Sequence, residues 1–178
     1  MTSVNTQADV AIRRASTADS PAELTALLHR AYRAQVQMGL QPLAGRQSED
    51  VTRRRCAAGE TFVAEIAGRI VGMVVLQEKE EAAFPPHFLR PGVAHFSLFA
   101  VDPDVQGRGI GRRLLEEIER RAAEIGCTEL ALSMAEPDAK LQEFYRRAGF
   151  GFVEFWQWPY TNYRSVILSK PIAPLPVA

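Results

Sequence analysis

Val93 to Val101 is an apolar run suited to a central strand, Asp102-Pro103 breaks it, and Gln106-Gly107-Arg108-Gly109-Ile110-Gly111 then opens an amphipathic helix. Proline denies a ladder its donor, so the strand must end there. Beyond the glycines, Ile110, Leu114, Leu115, Ile118, Ala122 and Ile125 recur at three- and four-residue spacing. They form one apolar stripe of a helix that Gly126 stops with a left-handed turn. A helix start carries unpaired N–H groups and the positive end of the helix dipole, and glycines let that backbone close on a ligand. The combination is suited to an anion such as a phosphate. Arg108 and Arg112 are candidates for a charge-assisted contact, and either equally reads as a solvent-facing arginine.

Two other phosphate-binding arrangements fail on detail. A P-loop needs Gly-Lys-Ser/Thr, which this loop lacks. A dinucleotide fingerprint needs Gly-x-Gly-x-x-Gly, whereas Gly107, Gly109 and Gly111 alternate and Arg112 stands where the third glycine would fall.

The other elements surround this unit. Val10 to Arg14 alternates as a short strand, and Asp19-Ser20-Pro21 starts a helix whose apolar positions Leu24, Leu27, Leu28, Ala31 and Tyr32 make one stripe before Gly39 and Pro42 end it. A second helix is expected over Ser48 to Ala58, stopped by Gly59, with Arg53-Arg54-Arg55 most simply a solvated face. Thr61 to Ile66 and Ile70 to Leu76 read as a β-hairpin turning at Ala67-Gly68-Arg69. Ala82 to Gly92 is an irregular connection that either borders a cleft or is simply a loop. Leu130 to Met134 makes a strand, Ala139 to Ala148 a short helix ended by Gly149, and Phe150 to Phe155 and Arg164 to Leu168 two final strands. The order is mixed α and β around one sheet.

Composition sets outer bounds. The 178 residues fit one domain, expected over residues 1–170, with the proline-rich residues 171–178 as a loose tail. With 21 basic and 21 acidic side chains, nothing in the net charge directs the chain to nucleic acid or an anionic membrane. Cys56 and Cys127 lack the spacing of a zinc site or a disulfide scaffold, so no metal is expected and both read as reduced thiols. No apolar run approaches the roughly 20 residues that span a bilayer, and Met1 to Ala8 has no signal-peptide character, so a cytoplasmic protein is expected.

Two segments resemble the GNAT (GCN5-related N-acetyltransferase) superfamily. Leu98-Phe99-Ala100-Val101-Asp102-Pro103-Asp104-Val105-Gln106-Gly107-Arg108-Gly109-Ile110-Gly111 is similar to its acetyl-CoA signature, Gln/Arg-x-x-Gly-x-Gly/Ala behind a strand. Phe144-Tyr145-Arg146-Arg147-Ala148-Gly149-Phe150 is similar to its Phe-Tyr-x-x-x-Gly-Phe segment. The resemblance implies a central, mostly antiparallel sheet flanked by helices, with the fourth and fifth strands splayed around the pantetheine arm of coenzyme A. It implies that Phe99, Ala100 and Val101 pair with that arm, and that the loop from Gln106 to Arg112 holds the pyrophosphate of acetyl-CoA. It also implies that Tyr145 lies near the coenzyme sulfur as proton donor; otherwise that ring is packed with its hydroxyl at the surface. Asp138 departs from the asparagine that many relatives carry seven residues before this tyrosine to order the coenzyme arm, and it is equally a helix cap.

A proton acceptor is needed as well, because only a neutral amine attacks a thioester. His95 lies on the fourth strand where the histone-acetylating branch carries a glutamate, Ser97 shares its face, and histidine titrates near the working pH. A half-buried histidine satisfied by a neighbour is at least as plain a reading, since many members use ordered water. The acceptor is expected near the first two helices and the 82–92 connection, where Glu49, Asp50, Glu80 and Glu81 could attract a cationic amine. The aromatic group Phe155, Trp156, Trp158, Tyr160 and Tyr163 is a candidate for the cleft wall or a homodimer contact, although core packing is the commoner outcome for such a group. An acetyltransferase acting on a small amine is the favoured function. The alternatives are a protein N-terminal or lysine acetyltransferase and a non-catalytic acyl-CoA-binding module.

Overall fold

The computed structural model describes residues 9–78 and 84–176. Seven strands form one sheet in the order β1-β2-β3-β4-β5-β7-β6, with β1 Val10–Arg14, β2 Glu60–Ile66, β3 Arg69–Leu76, β4 Val93–Val101, β5 Glu129–Ala135, β6 Gly151–Trp156 and β7 Ser165–Pro171. Neighbours are antiparallel except β4 and β5, which run parallel. The helices are α1 Pro21–Ala31, α2 Arg33–Gln37, α3 Glu49–Ala57, α4 Ile110–Glu124 and α5 Ala139–Arg147.

Each helix lies where its apolar stripe dictates. On one face, Ile110, Leu114, Leu115 and Ile118 of α4 and Tyr145 of α5 pack against Phe62, Val74, Phe96 and Leu130. On the other, Leu24, Leu27 and Leu28 of α1 pack against Val63, Met73, Val75, Leu98 and Ala100. The sheet is thus a middle layer that both helix layers cover.

A fork opens in the middle of this sheet. The β4–β5 ladder runs from Val93↔Glu129 to Phe96↔Leu132 and stops, while β4 continues to Val101 and β5 to Ala135. A β-bulge sits at the same point: Met73 pairs Ala100 but Val75 pairs Ser97, so β4 carries one extra residue, and Leu98 takes φ 49°. The extra residue inverts the side-chain alternation and bends the strand. Phe96 and Phe99 therefore both join the α4-side core, while Leu98 and Ala100 join the α1-side core.

Three boundaries differ from the sequence expectation. The first helix is broken at Tyr32, where φ −89° and ψ 0° separate α1 from α2. The break brings the Tyr32 hydroxyl to the Phe99 carbonyl at 3.3 Å, on the inner edge of the fork. Within the described part of the 82–92 connection, Pro86–Leu89 forms a 3₁₀ turn that buries Phe88. Finally, Pro171 belongs to β7, opposite Glu129, and Ile172 is buried with its N–H on the Thr128 carbonyl, so the sheet outlasts the expected limit at residue 170.

Gly59 follows α3 where the returning chain leaves no room. A Cβ there would lie 2.5 Å from the Leu76 carbonyl oxygen and 2.9 Å from the Glu78 nitrogen. Gly59→Ala is expected to destabilise the fold by about 1–3 kcal/mol through this overpacking, read as a lower midpoint in denaturant unfolding. An unchanged midpoint would show that the approach is not tight.

Candidate active site

The loop between β4 and α4 has the geometry of an anion cradle. Gly107 and Gly109 take φ 80° and 77°, in the left-handed region that disfavours side chains. Gly109 caps α4 with no side-chain hydrogen bond, and the first helical bond runs from Arg113 N to Gly109 O. The amides of Ile110, Gly111 and Arg112 precede that bond and have no intrahelical acceptor. A Cβ at Gly107 or Gly109 would meet nothing within 4 Å, so the space over the loop is open. Gly111 faces the other way, with Phe99 Cζ only 3.1 Å from where its Cβ would stand. Arg112 is exposed and paired with Glu116 at 2.9 Å, and Arg108 is exposed and outside the cleft lining. Backbone amides, more than these two guanidinium groups, form the cradle.

From this loop a cleft of about 670 Å³ runs down the fork. Phe99, Ala100 and Val101 line one side, and Met134 and Ala135 of β5 line the other. Gln106, Gly107, Gly109, Ile110, Gly111 and Arg112 lie at its loop end, and Tyr145 and His95 both face it. The structure thus brings together every sequence-selected site residue except Arg108.

Tyr145 is buried at 3% exposure, so the surface-hydroxyl alternative does not hold. Its ring sits among Phe96, Phe99, Phe144 and Phe150, at centroid distances of 6.1, 6.0, 5.3 and 5.6 Å. Burial, reinforced by the nearby Tyr32 and Asp138, holds its phenol well above the usual tyrosine range. Tyr32 is pushed up to about 12, chiefly by desolvation. Two phenols beside the fork therefore keep their protons at neutral pH.

His95 has a defined tautomer. Its Nε2 lies 2.9 Å from the Glu78 carbonyl oxygen, which can only accept, so Nε2 carries the hydrogen. Nδ1 then holds a lone pair, is buried, and has no hydrogen-bond partner. The ring stacks on Phe88 at 4.7 Å and 7°. Desolvation lowers its pKa below the usual histidine range, outweighing the opposing pull of the Glu78 carbonyl and charge.

Glu78 and Arg55 are the residues that sequence reasoning missed. Glu78 is 3% exposed, and Arg55 grips it through Nε at 2.6 Å and Nη2 at 3.0 Å. Ser97 Oγ also hydrogen-bonds Glu78 Oε2, and Arg55 Nη1 reaches Gln47 Oε1 at 2.9 Å. Arg53 and Arg54 are exposed as expected, but Arg55 is turned inward. The available signal was position: Arg55 follows buried Thr52 by three, on the inward stripe of α3.

The remaining candidates divide. Asp138 caps α5 by accepting from Leu141 N at 3.0 Å and accepts from Gln35 Nε2 at 3.0 Å, while also lining the cleft. Trp158, Tyr160 and Tyr163 line the cleft, whereas Trp156 packs beside Phe88 and Ile167, and Phe155 is exposed under Arg164. Glu49 and Asp50 are exposed in the first turn of α3, away from the lining, and Glu80 and Glu81 lie outside the described residues. Among the described residues no cluster of His, Cys, Asp and Glu could hold a metal ion, and no helix is long and apolar enough to cross a membrane.

Known proteins share this architecture. The model of the Acetyltransferase (GNAT) family matches residues 22–150. S-(2-succino)cysteine N-acetyltransferase of Bacillus subtilis is 28% identical over 130 residues, covering 72% of this chain and 76% of that protein. Glucosamine 6-phosphate N-acetyltransferase of Trypanosoma brucei brucei is 31% identical over 114 residues, covering 61% and 71%. In fold, PaiA N-acetyltransferase from Thermoplasma acidophilum, solved in complex with coenzyme A, superposes with a TM-score of 0.70 at 16% identity, covering 92% of this chain and 99% of that one. The match over most of the chain and the forked sheet agree, and the chain belongs to the GNAT family as an acetyl-CoA-dependent N-acetyltransferase.

Proposed function

We propose that the enzyme acetylates the primary amine of a small molecule by direct attack within a ternary complex. The observation that carries this reading is one continuous cleft with a phosphate cradle at one end and His95 and Tyr145 in its lining. Relatives named for small-molecule acceptors support it.

The loop amides of Ile110, Gly111 and Arg112 would hold the coenzyme pyrophosphate, with Phe99, Ala100 and Val101 alongside the pantetheine arm. The thioester supplies the acetyl carbonyl carbon. As the amine nitrogen bonds to that carbon, the carbon–sulfur bond breaks and its electron pair leaves on sulfur. His95 Nδ1 takes the proton that the amine releases, while Nε2 keeps its hydrogen and donates it to the Glu78 carbonyl. Tyr145, protonated far above the thiol range of about 8.5, donates its hydroxyl hydrogen bond to the departing sulfur. The amine's proton ends on His95 and the carbon–sulfur electron pair ends on a thiolate that accepts the Tyr145 hydrogen bond, so atoms and charge balance, and the two ions are neutralised through solvent when the products leave.

Acetyl-CoA binding by calorimetry, followed by thiol release against a panel of amines, tests this directly. Binding with release on a small amine is the expected result, and absence of coenzyme binding would overturn it. The His95 role has a separate signature. Its lowered pKa keeps it neutral and competent at pH 7, so the rate on a weakly basic acceptor should fall only as pH drops well below about 6.5. His95→Gln is expected to lower kcat by about ten- to a hundredfold and to abolish that acidic limb. A variant with the full rate and an unchanged limb would reduce His95 to a packing residue.

A further inference from the structure

Resting on the amine-site reading above, we infer that the acceptor is an amine with a flat, apolar body, such as an arylalkylamine, and carries neither phosphate nor carboxylate. The acceptor end of the cleft is built from two aromatic stacks on one face of the sheet. Phe88 lies on His95 at 4.7 Å, and Trp158 lies on Tyr160 at 5.6 Å and 19°. Their anchors are fixed: His95 stands opposite Ala131 in the ladder, and the Trp158 indole N–H donates to Ser133 Oγ at 2.8 Å. Phe84 also lies on His95 at 5.0 Å, and Phe84, Phe88, Trp158 and Tyr160 all line the cleft, so a flat apolar group entering this end meets ring surface.

The charges of the described residues at this end disfavour anionic bodies. Among the described residues the cleft-lining guanidinium here is Arg55, and it already serves Glu78 and Gln47. A phosphate or carboxylate drawing Arg55 away would leave the Glu78 carboxylate buried without its counter-ion, which is strongly unfavourable. The amine groups of S-(2-succino)cysteine and glucosamine 6-phosphate, which the relatives' names carry, come with the anionic bodies this site disfavours.

The test compares kcat/KM for 2-phenylethylamine, n-propylamine, glucosamine 6-phosphate and S-(2-succino)cysteine, by thiol release from acetyl-CoA. The arylalkylamine should exceed n-propylamine by about tenfold or more and either anionic amine by about a hundredfold or more. Tyr160→Ala should cost the arylalkylamine about tenfold in kcat/KM and n-propylamine less than about threefold, and Tyr160→Leu should give an intermediate loss on the arylalkylamine alone. Faster turnover of an anionic amine, or release only with a peptide amine, would overturn the inference while leaving the enzyme a working acetyltransferase. An equal loss on both neutral amines in Tyr160→Ala would overturn the stacking role. Failure to release thiol with any acceptor would overturn this inference and the small-amine reading together.

Discussion

Tyr145→Phe should lower kcat by about a hundredfold or more while leaving acetyl-CoA affinity within about threefold. Only the hydroxyl is removed, and the ring remains among Phe96, Phe99, Phe144 and Phe150, so the fold and the fork should persist. The loss arises because the departing thiolate would lose its fixed donor at the point where charge develops, which is where preorganised hydrogen bonds contribute most. A phenol held above its usual range makes a suitable donor here: it stays protonated throughout the working pH, so its removal should lower the rate without adding or deleting an alkaline limb. Single-turnover acetyl transfer at saturating coenzyme reads the chemical step alone. If that rate is unchanged in a folded variant, Tyr145 is a core residue and the sulfur is served by another group, for which Tyr32, at the Phe99 carbonyl and in the cleft lining, is a candidate.

Much of this architecture could be read from periodicity. The α4 stripe, the β2–β3 hairpin and the glycine loop announce themselves through local spacing, and each stands within a residue or two of its expected place. What local spacing cannot show is the fork. Val93 to Val101 reads as one uninterrupted strand, yet its bulge at Leu98 carries no glycine to mark it, because the left-handed conformation is imposed by pairing with β3 on one side and by the loss of β5 on the other. The Glu78–Arg55 pair was hidden for a similar reason. The two residues lie 23 positions apart and meet only when α3 folds over the end of β3, so a run of three arginines looked uniformly solvated. His95 was visible as a residue but not as a tautomer, since its available nitrogen is decided by a backbone carbonyl that sequence does not place. Asp138 shows how a motif position can keep its place and change its partner: the carboxylate caps α5 and still borders the cleft.

Replacement of Gly109 separates two contributions that the phosphate cradle combines. With φ 77°, any side chain there is held in a strained backbone region, and that cost is smallest for asparagine and aspartate. Gly109→Asn and Gly109→Asp therefore impose similar strain and similar bulk over the open face of the loop, and they differ chiefly by one negative charge. The asparagine variant is expected to raise the Kd for acetyl-CoA by about tenfold. The aspartate variant should raise it by about a further tenfold or more, because its carboxylate would sit at the helix N-terminus where the pyrophosphate is bound. Because an acidic residue at a helix start also stabilises the helix, thermal stability of Gly109→Asp should match or exceed that of Gly109→Asn even as its coenzyme affinity falls. Opposite movement of stability and affinity is the signature of a loop shaped for an anion. Equal affinities for the two variants would place the coenzyme phosphates somewhere other than over Gly109.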